Sequence, residues 1–342
     1  MSTPRTTVLS RRGLLAAGGA LGLGAFITAC GGGSSKSSGN AGSSGSGGGS
    51  WTFKDDRGTA VKTGRTPKRI IAFTGTAAAL HDFGIECVGV FGPTKLKDGK
   101  PDPQAGGIDV DKVTILGNTW GEFAVEKYAA LDPELLITEM FDPGALWYVP
   151  DDSKDKILRL APSVALTSAR VPLLKPIERH AELAASLGAD LKAKKVVEAK
   201  ARFEKAAETL RKTAKSRRIK VMAASGSADL FYVSNPTVNA DLMYFRELGV
   251  DFVVPQKLDK GGYFESLSWE NANKYEADLI ILDSRTSALQ PKDLAAKPTW
   301  AKLPAVEAGQ VSPWLSEPRF SYAGSAPLLE NLTAALEKAK KL

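Results

Sequence analysis

This sequence predicts two α/β lobes, each built on a mainly parallel sheet, joined by one long rigid helix. Three observations carry that reading. Short apolar strands alternate with helices on both sides of the chain's centre, an unbroken helical stretch lies between them, and a seventeen-residue segment recurs across the two halves.

The elements follow in chain order. Residues 69–73 read as a strand, 77–83 as a helix stopped by Gly84, and 87–91 as a second strand. Further strands are expected at 113–116, 135–138 and 164–166, with helical stretches near 125–131 and 154–160. A helix over 176–187 has Pro176 in its first turn and Gly188 at its end. Asp190 is placed to cap the next helix, which runs to about residue 214. Val196, Phe203, Ala206, Ala207, Leu210 and Ala214 recur along it at helical spacing. Its length, roughly 37 Å at 1.5 Å per residue, is enough to cross from lobe to lobe. The second lobe opens with a strand at 219–224 and continues with strands at 230–233, 279–282 and 310–312. Helices are expected at 238–248 and 327–339.

The repeat aligns residues 123–139 with 267–283 without gaps. Each copy is a short helix, an acidic turn and a buried strand, and Glu126 pairs with Glu270. Upstream, Gly117 pairs with Gly261 and Trp120 with Phe264, which suggests a pseudo-twofold arrangement. The divisions expected are 1–29, 30–50, 51–188 (first lobe), 189–215 (connecting helix) and 216–342 (second lobe).

The first division reads as an export signal, with Arg11-Arg12-Gly13-Leu14-Leu15, a short apolar stretch, and small residues before Cys30. The paired arginines resemble a twin-arginine signal, and Ile27-Thr28-Ala29-Cys30 resembles the bacterial lipobox, whose cysteine is lipidated. Residues 13–29 are short and glycine-rich for a membrane span. The Gly/Ser run after Cys30 cannot bury enough surface to fold and is expected to act as a flexible tether. The predicted location is therefore the extracytoplasmic face of the cell membrane, by a lipid anchor.

Formal charge is +7 over the 342 residues. Cleavage before Cys30 removes three arginines and no acid, leaving about +4 on a chain whose basic residues are dispersed. No nucleic-acid motif is present. Of two cysteines, Cys30 is assigned to the lipid, so Cys87 has no partner and reads as a small buried residue. His81 and His180 both fall in helical segments, too few for a multi-histidine metal site.

Ligands of open α/β sheets bind beyond the carboxyl ends of the strands. Those ends are rich in aromatic residues: Trp120, Phe141, Trp147 and Tyr148 in the first half, and Tyr232, Tyr263, Phe264, Trp314, Phe320 and Tyr322 in the second. Facing lobes with such loops would enclose a mostly apolar pocket. Trp269, Trp300 and Tyr244 read as packing residues.

Residues 114–120 leading to Glu126, with 131–137, resemble the N-lobe motif of the substrate-binding lipoproteins of iron-siderophore and cobalamin ABC importers. Residues 267–270 and 276–282 are similar to its C-lobe counterpart, and 65–70 fit as well. The resemblance covers about residues 52–340 and is strongest to ferric hydroxamate receptors of the ferrioxamine type. It implies the helix-joined class III periplasmic-binding-protein fold, a monomer, and the permease with its ATPase as partners. It also implies no catalytic residue, no cofactor and no protein-held metal, since iron stays with the siderophore. Carried over residue by residue, Glu126 and Glu270 would dock on the permease, and Trp120 would face the ligand. Phe320 and Tyr322 would line a hydroxamate pocket, with Arg319 beside them donating to oxygens around the metal. Arg170 and Arg285 read better as solvated surface residues. Rival readings are a cobalamin or haem receptor of the same family, a secreted hydrolase, and a surface sensor. Against the hydrolase, no Gly-x-Ser-x-Gly elbow occurs, and Ser225-Gly226-Ser227 reads as a turn.

Overall fold

The computed structural model describes residues 49–342. The export signal, Cys30 and nearly all of the Gly/Ser tether lie outside the described residues.

The chain enters through a hairpin that the strand–helix alternation did not announce, β1 (Trp51–Lys54) and β2 (Ala60–Thr63), paired antiparallel. Alternate residues Trp51 and Phe53 point inward, and the Trp51 indole donates to Ser186 O at 3.1 Å. The first sheet comprises β3 (Ile70–Phe73), β4 (Gly89–Phe91), β5 (Thr114–Ile115), β6 (Leu135–Met140) and β7 (Ser163–Thr167). Its order is β5-β4-β3-β6-β7 and every pairing is parallel. Helices α1 (Thr74–Phe83), α2 (Val125–Ala130) and α3 (Lys154–Leu160) lie in its crossovers, and α4 (Leu174–Ser186) follows β7. Both faces of such a sheet are covered, which is why β3 and β6 are buried at every position.

The long helix α5 (Lys194–Arg217) spans 24 residues, roughly 36 Å. It starts later than the sequence suggested, because Asp190 closes a local turn by accepting from Lys192 N at 2.8 Å and does not cap the helix itself.

Beyond it lie β8 (Lys220–Gly226), β9 (Leu230–Ser234), α6 (Ala240–Glu247), β10 (Asp251–Phe252), β11 (Phe264–Ser268), β12 (Leu279–Asp283) and three single-turn helices. These are α7 (Pro291–Leu294), α8 (Pro298–Ala301) and α9 (Pro304–Glu307), followed by β13 (Val311–Trp314) and α10 (Tyr322–Lys338). The second sheet runs β11-β9-β8-β12-β13, with β10 beside the start of β8. Here β8, β10, β12 and β13 are parallel, whereas β9 and β11 are antiparallel. The three residues between β8 and β9 leave room only for a hairpin, not for a crossover.

The repeat keeps its register. Helix α2 corresponds to the 3₁₀ turn Trp269–Lys274, and β6 starts at the position equivalent to the start of β12.

The last helix begins at Tyr322, five residues before the expected Pro327, which sits in its second turn. Ser321 is the reason: its side chain accepts from Gly324 N at 2.9 Å and caps the helix there. Helix α10 packs along α5, and Arg202 grips Glu330 through two hydrogen bonds of 2.7 and 2.6 Å. A single apolar core runs from Leu135 and Ile137 through Phe203 and Leu210 of α5, and Leu329 and Leu332 of α10. It ends at Val221 and Ile281 of the second sheet. Separate clusters cover the outer face of each sheet.

Candidate functional site

The carboxyl ends of β6 on one side and β8, β12 and β13 on the other open onto one cavity of about 450 Å³. That is the size range of small-ligand sites, at the position the sheet topology favours.

Its first wall is aromatic. Phe141 and Trp147 follow β6 and pack with ring centroids 4.7 Å apart. Trp120 lies over Trp147 at 4.8 Å and over Tyr148 at 5.0 Å, so it extends the same wall outward without lining the cavity itself. It is 63% exposed, the most exposed large apolar side chain among the described residues. Its loop is tight: Glu122 Oε2 accepts from Asn118 N and Thr119 N, at 3.1 and 3.2 Å. Tyr148, expected in the lining, instead packs inward against Phe73 at 5.3 Å and does not line the cavity itself.

The opposite wall carries Tyr232, Tyr263, Phe264 and Trp314. Tyr232 and Phe264 meet at 5.0 Å across the antiparallel β9–β11 pair. The Trp314 indole donates to the buried Asp241 at 2.6 Å. Burial pushes that carboxyl up to about 7.

Polar groups that the aromatic pattern did not single out fill the floor. Asp283 ends β12 and is fully buried, accepting from Arg285, from Ser225 Oγ at 3.0 Å and from Ser316 Oγ at 3.0 Å. Arg285 reaches on to Glu317. Glu317 also accepts from Gln104 Nε2 at 2.9 Å and lies 3.4 Å from the Trp147 indole nitrogen, so it ties the second lobe to the first. Arg285 is therefore not a solvated surface residue. It sits against two carboxylates in the cavity wall, and they hold its guanidinium protonated despite its burial. Ser225 and Ser227 likewise line the cavity, beyond the turn read from sequence.

The rim is bridged as well. The Tyr263 hydroxyl donates to Phe141 O at 2.5 Å. Burial and the nearby Asp142 push that phenol up to about 12, so it stays a donor. Arg170 lies 5.1 Å over the Tyr263 ring and donates to Asp142 and to Gly261 O, each at 2.7 Å. It too belongs to the cleft margin, with positive φ in the turn between β7 and α4.

Besides Tyr148, three more expected ligand residues fall away from the cavity. The Ser321 cap that starts α10 draws Phe320 under the fold, where it is 0% exposed and 5.6 Å from His180. Tyr322 becomes a helix residue packed against Phe83 and Phe203, with ring centroids 6.4 and 5.7 Å away. Arg319 lies over Gly106, where any Cβ would collide with its guanidinium. None of the three lines the cavity. Glu126 and Glu270 are exposed, each in the first turn of its short helix.

Among the described residues, no group of three or more His, Cys, Asp or Glu side chains could hold a metal ion, and no helix is long and apolar enough to cross a membrane. Cys87 is a buried free thiol, pushed up to about 12 by burial.

The periplasmic binding protein family model matches residues 76–317, most of the chain and both walls of the cleft. This chain belongs to that family. Among solved structures it is similar to DesE, a ferric-siderophore receptor protein from Streptomyces coelicolor. The two are 58% identical, with a TM-score of 0.83, over 85% of this chain and 99% of that one. YclQ, a petrobactin-binding protein from Bacillus subtilis, shares 19% identity with a TM-score of 0.63, over 84% of this chain and 99% of that one. A siderophore periplasmic binding protein of the fuscachelin gene cluster of Thermobifida fusca shares 21% identity and a TM-score of 0.57, over 79% and 96%. These two support the fold alone. No curated protein matches the chain. Family membership makes this a binding protein, not an enzyme.

Proposed function

We propose that this protein is the extracytoplasmic receptor of an ABC importer and captures a ferric siderophore of the hydroxamate class. The observation that carries the reading is the aromatic cavity where the strand ends of two helix-joined lobes meet. Identity of 58% to a ferric-siderophore receptor, over almost all of that chain, supports it. Iron is cargo here, held by the siderophore, and the protein reads the outside of the complex. Phe141, Trp147, Tyr232, Tyr263, Phe264 and Trp314 offer flat apolar faces, and Trp120 extends the wall toward incoming ligand. Ser227 and Ser287 line the cavity and can donate to oxygens around the metal, while Arg285 is taken up by Asp283 and Glu317.

Export by the twin-arginine route and lipidation of Cys30 would place a monomeric receptor on the outer face of the membrane, with the Gly/Ser run as its leash. Glu126 and Glu270, one exposed acid per lobe at equivalent places in the repeat, would meet basic residues of a permease served by its ATPase.

Titration with ferric trihydroxamate, ferric tricatecholate, cobalamin and haem, read by tryptophan fluorescence, tests the ligand class. Saturable quenching by the trihydroxamate is expected, and Trp120→Ala should weaken it about tenfold. Tight binding of cobalamin or haem with no response to the trihydroxamate would sink the proposal.

A further inference from the structure

The charge of the cleft runs against the charge of the chain. The sequence as a whole is formally +7, yet the charged side chains lining the cavity are Asp142, Asp283 and Glu317 against the single cation Arg285. Arg285 presents no free positive charge. Its Nε and Nη2 face Asp283, at 3.1 and 2.7 Å, and its Nη1 faces Glu317. Another buried acid, Asp102, stands behind this wall and accepts from Thr286 Oγ1 at 3.1 Å. The nearby Arg170 is taken up by Asp142. Four acids thus face two bases around the cleft, and low-dielectric aromatic walls strengthen the field of that imbalance.

We infer that the cleft selects ferric complexes by net charge, favouring a cationic complex over a neutral one and a neutral one over an anionic one, with Glu317 setting the preference. Glu317 holds this role because it is the acid at the junction of the lobes, side by side with Gln104, Trp147 and Arg285. Removing its charge would leave Arg285 paired with Asp283 alone and lower the excess of acids in the cleft by one. The inference rests on the cleft being a ferric trihydroxamate site. Iron(III) with three hydroxamates is neutral, so a pendant group alone sets the charge of such a complex.

The test uses one linear ferric trihydroxamate core in three forms: ending in a primary ammonium (+1), N-acetylated (0) and N-succinylated (−1). Calorimetric titration of the protein at about 20 mM salt should rank them in that order, on the order of fivefold per unit charge, with the spread shrinking at about 0.5 M salt. Glu317→Gln, which keeps the side-chain shape and an oxygen for Gln104, should narrow the spread severalfold. Equal affinities or a reversed order in the unmutated protein overturn charge selection and leave the trihydroxamate reading standing. Failure of all three to bind overturns both. An unchanged spread in a folded Glu317→Gln protein removes Glu317 from the role.

Discussion

At the scale of single residues, the two halves of the repeat end in acids with opposite fates. Glu139 and Asp283 occupy equivalent places at the ends of β6 and β12, and both are buried. Asp283 meets Arg285. Glu139 meets no cation: it accepts from Thr76 at 3.1 Å and lies 3.9 Å from the Nε2 of His180. Burial pushes Glu139 up to about 8 and His180 down to about 4, so both are neutral near pH 7. His180 Nδ1 donates to Pro176 O at 2.7 Å, which leaves Nε2 as the unprotonated, unpartnered atom. Between roughly pH 4.5 and 8 the folded protein keeps the Glu139 proton that the unfolded chain releases. That proton makes stability fall with rising pH, by up to about 1.4 kcal/mol per pH unit. His180 works in the opposite sense from about pH 4 to 6.5, because there the unfolded chain binds the extra proton. Glu139→Gln removes the first contribution alone. Urea unfolding at pH 5.5 and 8 should show the variant gaining stability over the parent as pH rises. A constant difference would mean Glu139 is ionised in the fold.

At the scale of elements, the loop that presents Trp120 depends on Gly117. A Cβ there would stand 2.1 Å from the carbonyl oxygen of Glu122, the residue whose carboxylate ties up the Asn118 and Thr119 amides. Gly117→Ala must therefore open the loop. We expect a loss of about 1–3 kcal/mol in urea unfolding, together with weaker ligand quenching as Trp120 shifts off Trp147. Retained stability would mean the loop adapts freely. The end of the chain shows how a single hydroxyl redirects an element. Pro327 marked a helix start by the usual rule for proline. The Ser321 cap instead begins α10 a turn and a half earlier and carries Phe320 and Tyr322 away from the cleft.

At the scale of the whole molecule, α5 is more than a connector. Its apolar face is continuous with the cores of both sheets, and α10 doubles it along most of its length. Hydrogen bonds from Tyr263, Gln104 and Arg170 cross between the lobes around the cleft. Large hinge closure would break these contacts and expose core, so ligand capture should proceed with small lobe movements. Transport then needs recognition of the outer surface by the permease. Reversing both exposed acids, Glu126→Arg with Glu270→Arg, should leave ferric trihydroxamate affinity unchanged and abolish uptake in cells. Uptake at the parental rate would rule out docking through these residues.

The two-lobed α/β fold, the long helix and the repeat were legible because each rests on local pattern: apolar runs at strand length, helical spacing from Val196 to Ala214, and residue pairs at one fixed offset. Six of the aromatic residues at predicted strand ends do line the cavity, since strand ends are positions that topology brings together. The acids and the arginine were not legible. Asp283, Arg285 and Glu317 look like ordinary surface charges in a chain rich in them, and only the meeting of β12 and β13 beside Gln104 buries them as one network. A short polar side chain acts locally, as Ser321 does, and a charge acts on whatever the fold sets beside it. Apolar periodicity therefore shaped the lobes, while the charge inside the cleft was decided by residues far apart in sequence and adjacent only in space.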